Sequence, residues 1–247
     1  MTSIAAIVIP VRFASTRFPG KPLADRTGRT LVQHVWEQAS RAACAARVVV
    51  ATDDPRIEQA VRTFGGECRM TRADHPNGTS RIAEVAETLR EEIVVNVQGD
   101  EPEIDPATID RAVSALEAAP ECPMSTLACP LSAGDDAGDP NLVKVVLDRR
   151  GRALYFSRAA IPFDREGSGD CPPWRHVGLY AYRRSFLPRY VALTPTPLEA
   201  CERLEQLRVL EHGFPIAVAL VDAAPAGIDT PEQYEAFVRR FASGVRA

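Results

Sequence analysis

The sequence is poor in the residues from which many binding sites are built: of its 247 residues, 4 are histidine, 2 tryptophan and 3 methionine, and aromatics make up 6%. His34, His75, His176 and His212 show no H-x-x-x-H spacing, so a histidine-based transition-metal site has no support. Cys44, Cys68, Cys122, Cys129, Cys171 and Cys201 include no C-x-x-C pair, which excludes a zinc knuckle or a dithiol redox motif. Scattered thiols of this kind are expected to be free, as small core residues of a cytosolic chain. No apolar run approaches the roughly 20 residues of a membrane-spanning helix, and no charged segment leads into an apolar one at the N-terminus. A cytoplasmic protein without export or membrane contact is expected.

Excess positive charge is also missing. Lys and Arg total 29 against 33 Asp and Glu, a formal net charge of -4, which argues against nucleic acid as a partner. Neither glycine-rich phosphate signature, G-x-G-x-x-G or G-x-x-x-x-G-K-[ST], occurs. A phosphate site in this chain must therefore rest on side-chain cations.

Such cations are present at the start of the chain. The apolar run Ile4 to Pro10 leads directly into Arg12-Phe13-Ala14-Ser15-Thr16-Arg17-Phe18-Pro19-Gly20-Lys21-Pro22-Leu23. Ligands of a parallel α/β sheet lie beyond the carboxyl ends of its strands, so Arg12, Arg17 and Lys21 read as a phosphate cradle. Arginine presents a planar fork to oxyanions and lysine a compact charge. Pro19-Gly20 is a turn pair that brings Lys21 inward.

Further strands are expected at Arg47 to Thr52, Glu67 to Thr71 and Ile93 to Val97, with helices at Thr30 to Ala43, Pro55 to Phe64 and Thr79 to Arg90 between them. This alternation predicts a mainly parallel sheet with helices on both faces. After a helix at Pro106 to Ala118 the pattern changes. Apolar runs at Met124 to Pro130, Val143 to Asp148, Ala153 to Phe156 and Val177 to Tyr182 follow one another with little helix, as antiparallel hairpins do. A β-rich insertion at about 130 to 183 is therefore expected within a single folding unit spanning 1–247, for no internal repeat or linker divides it. A helix at Leu198 to His212, a strand at Ile216 to Val221 and a helix at Pro231 to Phe241 complete the chain.

Asn96-Val97-Gln98-Gly99-Asp100-Glu101-Pro102 ends the Ile93 strand, which puts Asp100 at the same sheet edge as the basic loop. A carboxylate facing phosphate needs a cation between them, and magnesium is suited to one or two carboxylates plus phosphate oxygens. Asp229, before Thr230-Pro231, is available as a second ligand, while Thr230 and Pro231 read as an ordinary helix start. In Thr71-Arg72-Ala73-Asp74-His75-Pro76-Asn77-Gly78-Thr79 the loop either reads a nucleobase or holds an anion at the helix N-terminus, or Asn77 and Thr79 only cap that helix. Asp53 and Asp54 read as helix caps. Arg158, His176, Glu205 and Gln206 put polar groups into apolar surroundings, a pattern open either to a polyhydroxylated acid or to ordinary structural use.

Taken together, R-F-A-S-T-R-F-P-G-K-P-L, T-R-A-D-H, N-V-Q-G-D-E-P, N-L-V-K-V-V-L-D, L-Y-F-S-R-A-A-I-P, H-V-G-L-Y-A-Y, L-E-Q-L-R-V-L-E-H-G and G-I-D-T-P-E resemble the 3-deoxy-manno-octulosonate (Kdo) cytidylyltransferase family, from Ile4 to about Phe237. The chain departs from the family pattern at Asn77, Ser80 and Ile228. The resemblance implies a Rossmann-like, GT-A-like nucleotidyltransferase fold and the reaction CTP + Kdo → CMP-Kdo + pyrophosphate, which activates Kdo for lipopolysaccharide synthesis. It implies Mg2+ as cofactor and a homodimer formed through the β-rich insertion. Carried onto this sequence, it implies that Arg12, Arg17 and Lys21 bind the CTP phosphates and that Thr71, Arg72, Gly78, Thr79 and Gln98 bind the nucleotide. Asp100 and Asp229 match the metal ligands, and Arg158, His176, Tyr180, Glu205 and Gln206 match the sugar-acid pocket. Rival readings are a cytidylyltransferase for 8-amino-Kdo or a sialic-acid-like acid, and a non-catalytic nucleotide-sugar binding module, which would be expected to lose Lys21, Asp100 or Asp229.

Overall fold

The structure, a computed structural model, describes residues 4–14, 17–132, 134–225 and 227–244. Loop residues Ser15 and Thr16 of the basic motif lie outside the described residues. The chain divides into two compact units, Met1–Asp110 with Pro225–Ala247, and Arg111–Ala224.

In the first unit, β1 (Ala5–Val11) pairs in parallel with β2 (Ala45–Thr52) and with β4 (Ile93–Asn96), and β2 pairs in parallel with β3 (Glu67–Met70). The order is β3-β2-β1-β4. Central parallel strands are buried on both faces and so read as continuous apolar runs. β1 does this with Ala5, Ala6, Ile7, Val8 and Ile9 fully buried, and each such Val or Ile contributes about 1.5–3 kcal/mol of burial free energy. The register sets Val8 beside both Val49 and Asn96. The carboxyl ends of β1 and β4 thus emerge side by side, which places the Arg12 loop next to Gln98-Gly99-Asp100.

The connecting helices start where polar caps occur. In α1 (Leu31–Ala39) Thr30 Oγ1 accepts from Gln33 N–H at 3.3 Å; in α2 (Pro55–Thr63) Asp54 Oδ1 accepts from Arg56 N–H at 2.9 Å; in α3 (Gly78–Ala86) Asn77 Oδ1 accepts from Ser80 N–H at 2.9 Å. Asp54 and Asn77 are therefore caps, whereas Asp53 has a different role, described below. Both α1 and α3 end about four residues earlier than their apolar periodicity suggests.

The chain leaves the first unit within α4 (Pro106–Ala118) and returns for α8 (Pro231–Ser243), which opens with a Thr230–Gln233 capping box. Tyr234 and Phe237 of α8 pack with Leu31 and Ile228 in a buried cluster that Phe18 joins. The residue before Asp229 is thereby held in a core.

In the second unit β5 (Met124–Pro130) runs antiparallel to β8 (Trp174–Arg183) and parallel to β9 (Ile216–Leu220). β6 (Lys144–Leu147) is antiparallel to β7 (Ala153–Ser157) and to β8. The hairpin reading of this region is borne out, and together the units give the mixed, mainly parallel α/β class. The segment at about 130 to 183 falls within this unit, which begins earlier and ends later.

Two features differ from expectation. A short helix, α5 (Leu187–Ala192), was not anticipated, and the single helix expected over Leu198 to His212 is two helices, α6 (Pro197–Glu202) and α7 (Gln206–Glu211). The break is at Arg203, whose φ of 56° is left-handed. Its cause is tertiary: Arg158 Nε donates to Glu202 O at 2.7 Å and Arg158 Nη2 to Arg203 O at 3.4 Å, taking carbonyls that a continuous helix would use internally. Periodicity cannot register a competitor located 44 residues upstream.

Candidate active site

The first unit assembles its charges around Lys21. Gly20, with φ of 71°, caps a short 3-10 turn over Lys21–Leu23 and turns the lysine inward. Its side chain is only 12% exposed. Lys21 Nζ donates to Asp100 Oδ2 at 2.8 Å, to Ile228 O at 2.7 Å and to Asp229 Oδ1 at 3.4 Å. Arg17 Nη2 lies 3.1 Å from the other Asp229 oxygen. The two aspartates come from loops 129 residues apart in sequence, joined by the Ile228 N–H bond to Asp100 O at 2.8 Å. One ammonium between two carboxylates marks a place where positive charge is required.

Beside this cluster is a groove of about 380 Å³ lined by Arg12, Arg17, Lys21, Gln98, Gly99 and Asp100 among others. Gly99 is needed there, since a Cβ would come within 2.9 Å of Val11 Cγ2 and 3.1 Å of Pro10 O. Arg12 is anchored by donation from Nη2 to His75 O. That bond connects the groove to the loop after β3. The partly buried Glu101 has its carboxyl pushed up to about 8 by burial and, secondarily, by Asp100, so it adds little negative charge at neutral pH.

Thr71 and Arg72, in the loop after β3, and Gly78 and Thr79, in the first turn of α3, do not line the groove. A Cβ on Gly78 would stand 3.4 Å from Pro10 Cγ, so glycine lets the start of α3 approach β1 closely. Thr71 Oγ1 donates to Thr52 O at 3.2 Å and receives a bond from Arg81 Nη1. Arg72 is mostly exposed and pairs with Asp74 at 3.4 Å.

Arg81 is a buried charge that the sequence alone does not mark. It is fully buried, 3.1 Å from Asp53 Oδ1, in an ion pair too misaligned for a hydrogen bond, and burial lowers its pKa. A lone arginine on a helix gives no sequence signal of burial; its only hint is Asp53 at the end of β2.

The second unit gathers the remaining residues. Arg158 Nη1 donates to Pro140 O at 2.7 Å. With the bonds to Glu202 O and Arg203 O, this leaves two of the five N–H groups of the guanidinium without a partner among the described residues. His176, on β8, lies with its Nε2 2.9 Å from Thr126 Oγ1 and its ring edge-on to Phe156 at 4.9 Å. Tyr180 is 5.6 Å from His176 between ring centroids. Burial pushes His176 down to about 3 and raises Tyr180 well above its ordinary value. Both are uncharged at neutral pH.

Gln206, at the start of α7, is 4% exposed and its Nε2 has no hydrogen-bond partner among the described residues. A buried amide without a partner costs about 1–3 kcal/mol, which an arriving acceptor would recover. Glu205 is exposed at the N-terminus of the same helix.

Two supporting residues were not anticipated. Glu202 accepts from Ser157 Oγ at 2.7 Å and from Arg158 N–H at 2.9 Å. Burial would raise its pKa, but these bonds outweigh it and the value is lowered. Lys144 is fully buried and donates to Asp139 O, Leu142 O and Arg158 O at 2.9, 2.5 and 2.6 Å. It braces the loop that Arg158 also holds.

A cation-lined groove beyond parallel strands, with two aspartates at its edge, is the equipment of a nucleotidyltransferase. The sequence pattern of the cytidylyltransferase family matches residues 6–218, and the chain belongs to that family. Its relatives are more particular. The 3-deoxy-manno-octulosonate cytidylyltransferase of Syntrophobacter fumaroxidans is 53% identical over 235 residues, 94% of each chain, and the enzyme of the same name from Solibacter usitatus is 51% identical over 238 residues, 96% of this chain and 94% of the relative. A solved CMP:2-keto-3-deoxy-manno-octonic acid synthetase in complex with CTP superposes with a TM-score of 0.93 at 44% identity, covering 98% of this chain and 99% of that one. Among the described residues, no helix is long and apolar enough to cross a membrane.

Proposed function

We propose that this protein transfers CMP from CTP to the anomeric 2-hydroxyl of Kdo, releasing pyrophosphate and activating the sugar for lipopolysaccharide synthesis. The observation that carries the chemistry is the Lys21 ammonium held between Asp100 and Asp229 at the edge of a groove lined by Arg12 and Arg17. The near-full-length likeness to Kdo enzymes supports the choice of acceptor.

In this reading Arg12, Arg17 and Lys21 hold the triphosphate, and Lys21 neutralises charge at the α-phosphate as the acceptor oxygen bonds to phosphorus and the bond to the pyrophosphate oxygen breaks. Thr71, Arg72, Gly78, Thr79 and Gln98 bind the rest of the nucleotide. Asp100 and Asp229 would hold a divalent cation, with magnesium as our assignment. Two carboxylates already gathered about a positive charge fit magnesium, which draws its remaining ligands from phosphates and water. When bound, the ion supplies charge neutralisation for the triphosphate.

Arg158, His176, Tyr180, Glu205 and Gln206 bind the sugar acid: the spare N–H groups of Arg158 suit a carboxylate, and the unpartnered Gln206 amide suits a hydroxyl or carboxylate oxygen. The non-catalytic alternative is disfavoured because Lys21, Asp100 and Asp229 are present and joined in one cluster. Cytoplasmic location accords with six free cysteines. A homodimer through the β-rich segment accords with the exposure of Leu154 and Phe163, 61% and 87%, on it. Light scattering should give twice the chain mass, and Leu154→Ser with Phe163→Ser should shift it toward one chain; a monomeric wild type would remove the dimer. Pyrophosphate release from each of four nucleoside triphosphates, measured with Kdo, 8-amino-Kdo and sialic acid, tests the function.

A further inference from the structure

Thr126 sits at an irregularity in the β5–β8 ladder. Thr126 pairs with Tyr180 but the next residue, Leu127, pairs with Val177, so Gly178 and Leu179 are extra on β8. Bulges re-aim side chains and carbonyls. Here the result is that the buried Thr126 hydroxyl meets three neighbours: Val177 O at 3.1 Å, Leu179 O at 2.9 Å and His176 Nε2 at 2.9 Å.

The hydroxyl has one proton, and both carbonyls can only accept. Giving that proton to the imidazole would leave two carbonyl oxygens against the oxygen's lone pairs. Giving it to the carbonyls instead leaves Thr126 Oγ1 as the acceptor for a proton on His176 Nε2. A neutral imidazole with its proton on Nε2 has a bare Nδ1, and His176 Nδ1 has no partner among the described residues.

We infer that Thr126 is a positioning residue that locks His176 in the Nε2–H tautomer, so that Nδ1 serves as a hydrogen-bond acceptor for a hydroxyl of the acceptor sugar. This rests on the proposed function for the identity of the sugar, but the tautomer itself does not. The depressed pKa of His176 supports it by keeping the ring neutral. The opposite tautomer would present N–H, which any carboxylate, carbonyl or hydroxyl oxygen can accept, whereas a bare Nδ1 takes only a donor such as a hydroxyl.

The test combines 15N-histidine NMR of the full-length protein, with His176→Gln to assign the signal, and steady-state kinetics. Wild type should show Nε2 protonated and Nδ1 bare. Thr126→Val should lose that preference and raise KM for Kdo about tenfold, a shift on the scale of one hydrogen bond, with KM for CTP changed less than about twofold. Thr126→Ser should restore both. A wild-type Nδ1–H tautomer, or a Thr126→Val protein with unchanged tautomer and Kdo KM, overturns the inference. If Thr126→Val does not fold, the wild-type spectrum decides. A protein that shows the Nε2–H form but never uses Kdo would sink the proposed function and leave the tautomer lock standing.

Discussion

Lys21 Nζ stands 2.8 Å from Asp100 Oδ2, a bond between residues 79 positions apart that ties the loop after β1 to the loop after β4. The same ammonium reaches Asp229, so one lysine neutralises both carboxylates assigned to the metal. If the two aspartates hold a divalent cation as proposed, Lys21 competes with it in the free protein, and nucleotide phosphate would offer the lysine another partner.

Two consequences follow for Lys21→Ala. Turnover should fall by about 10²–10³, the range for losing one preorganised charge-stabilising donor, with Lys21→Arg failing to restore it because the planar fork cannot reproduce a point charge. Divalent-cation affinity without nucleotide, measured by calorimetry, should rise. Unchanged turnover would remove Lys21 from the chemistry, and unchanged cation affinity would separate it from the metal site.

Arg81 and Asp53 give a prediction about stability. Replacing Asp53 with Asn leaves the fully buried Arg81 guanidinium without its countercharge, a change that typically costs about 3–5 kcal/mol. Urea unfolding at neutral pH should show this as a lower midpoint with an unchanged slope. A loss below about 1 kcal/mol would mean the misaligned pair contributes no more than a surface one.

His176 predicts a pH dependence. Its folded pKa of about 3 lies below the ordinary histidine value of 6.5, so the unfolded chain binds the extra proton first as pH falls. The contribution is fully present above 6.5 and is lost as pH drops toward 3, with a slope approaching about 1.4 kcal/mol per pH unit. Denaturant unfolding between pH 7 and 4.5 should therefore fall more steeply in wild type than in His176→Gln. Parallel profiles would show that the folded protein protonates this ring as easily as the unfolded one does.

Much of this was visible before the structure. The β1 run, the cationic loop and Asp100 were legible because a buried parallel strand is continuous in sequence and its carboxyl end is the next few residues. Asp229 was legible only as a candidate, since its meeting with Lys21 depends on Ile228 packing under α8. The break at Arg203, the burial of Arg81 and Lys144 and the Thr126–His176 contact were not legible. Each depends on a partner distant in sequence, and a polar residue in isolation gives no sign of whether the fold will enclose it. Gln98 and Gly99 fall between these cases: motif position marked them, and only the closeness of Pro10 and Val11 explains the glycine.

The most direct test is pyrophosphate release by purified protein with CTP and magnesium, with and without Kdo. Release is expected only when Kdo and a divalent cation are both present, with CTP preferred over ATP, GTP and UTP, and turnover is expected to be lost in Asp100→Ala and Asp229→Ala with the fold intact. Turnover of sialic acid but not Kdo, or release that ignores the acceptor or survives either aspartate replacement, would contradict that expectation.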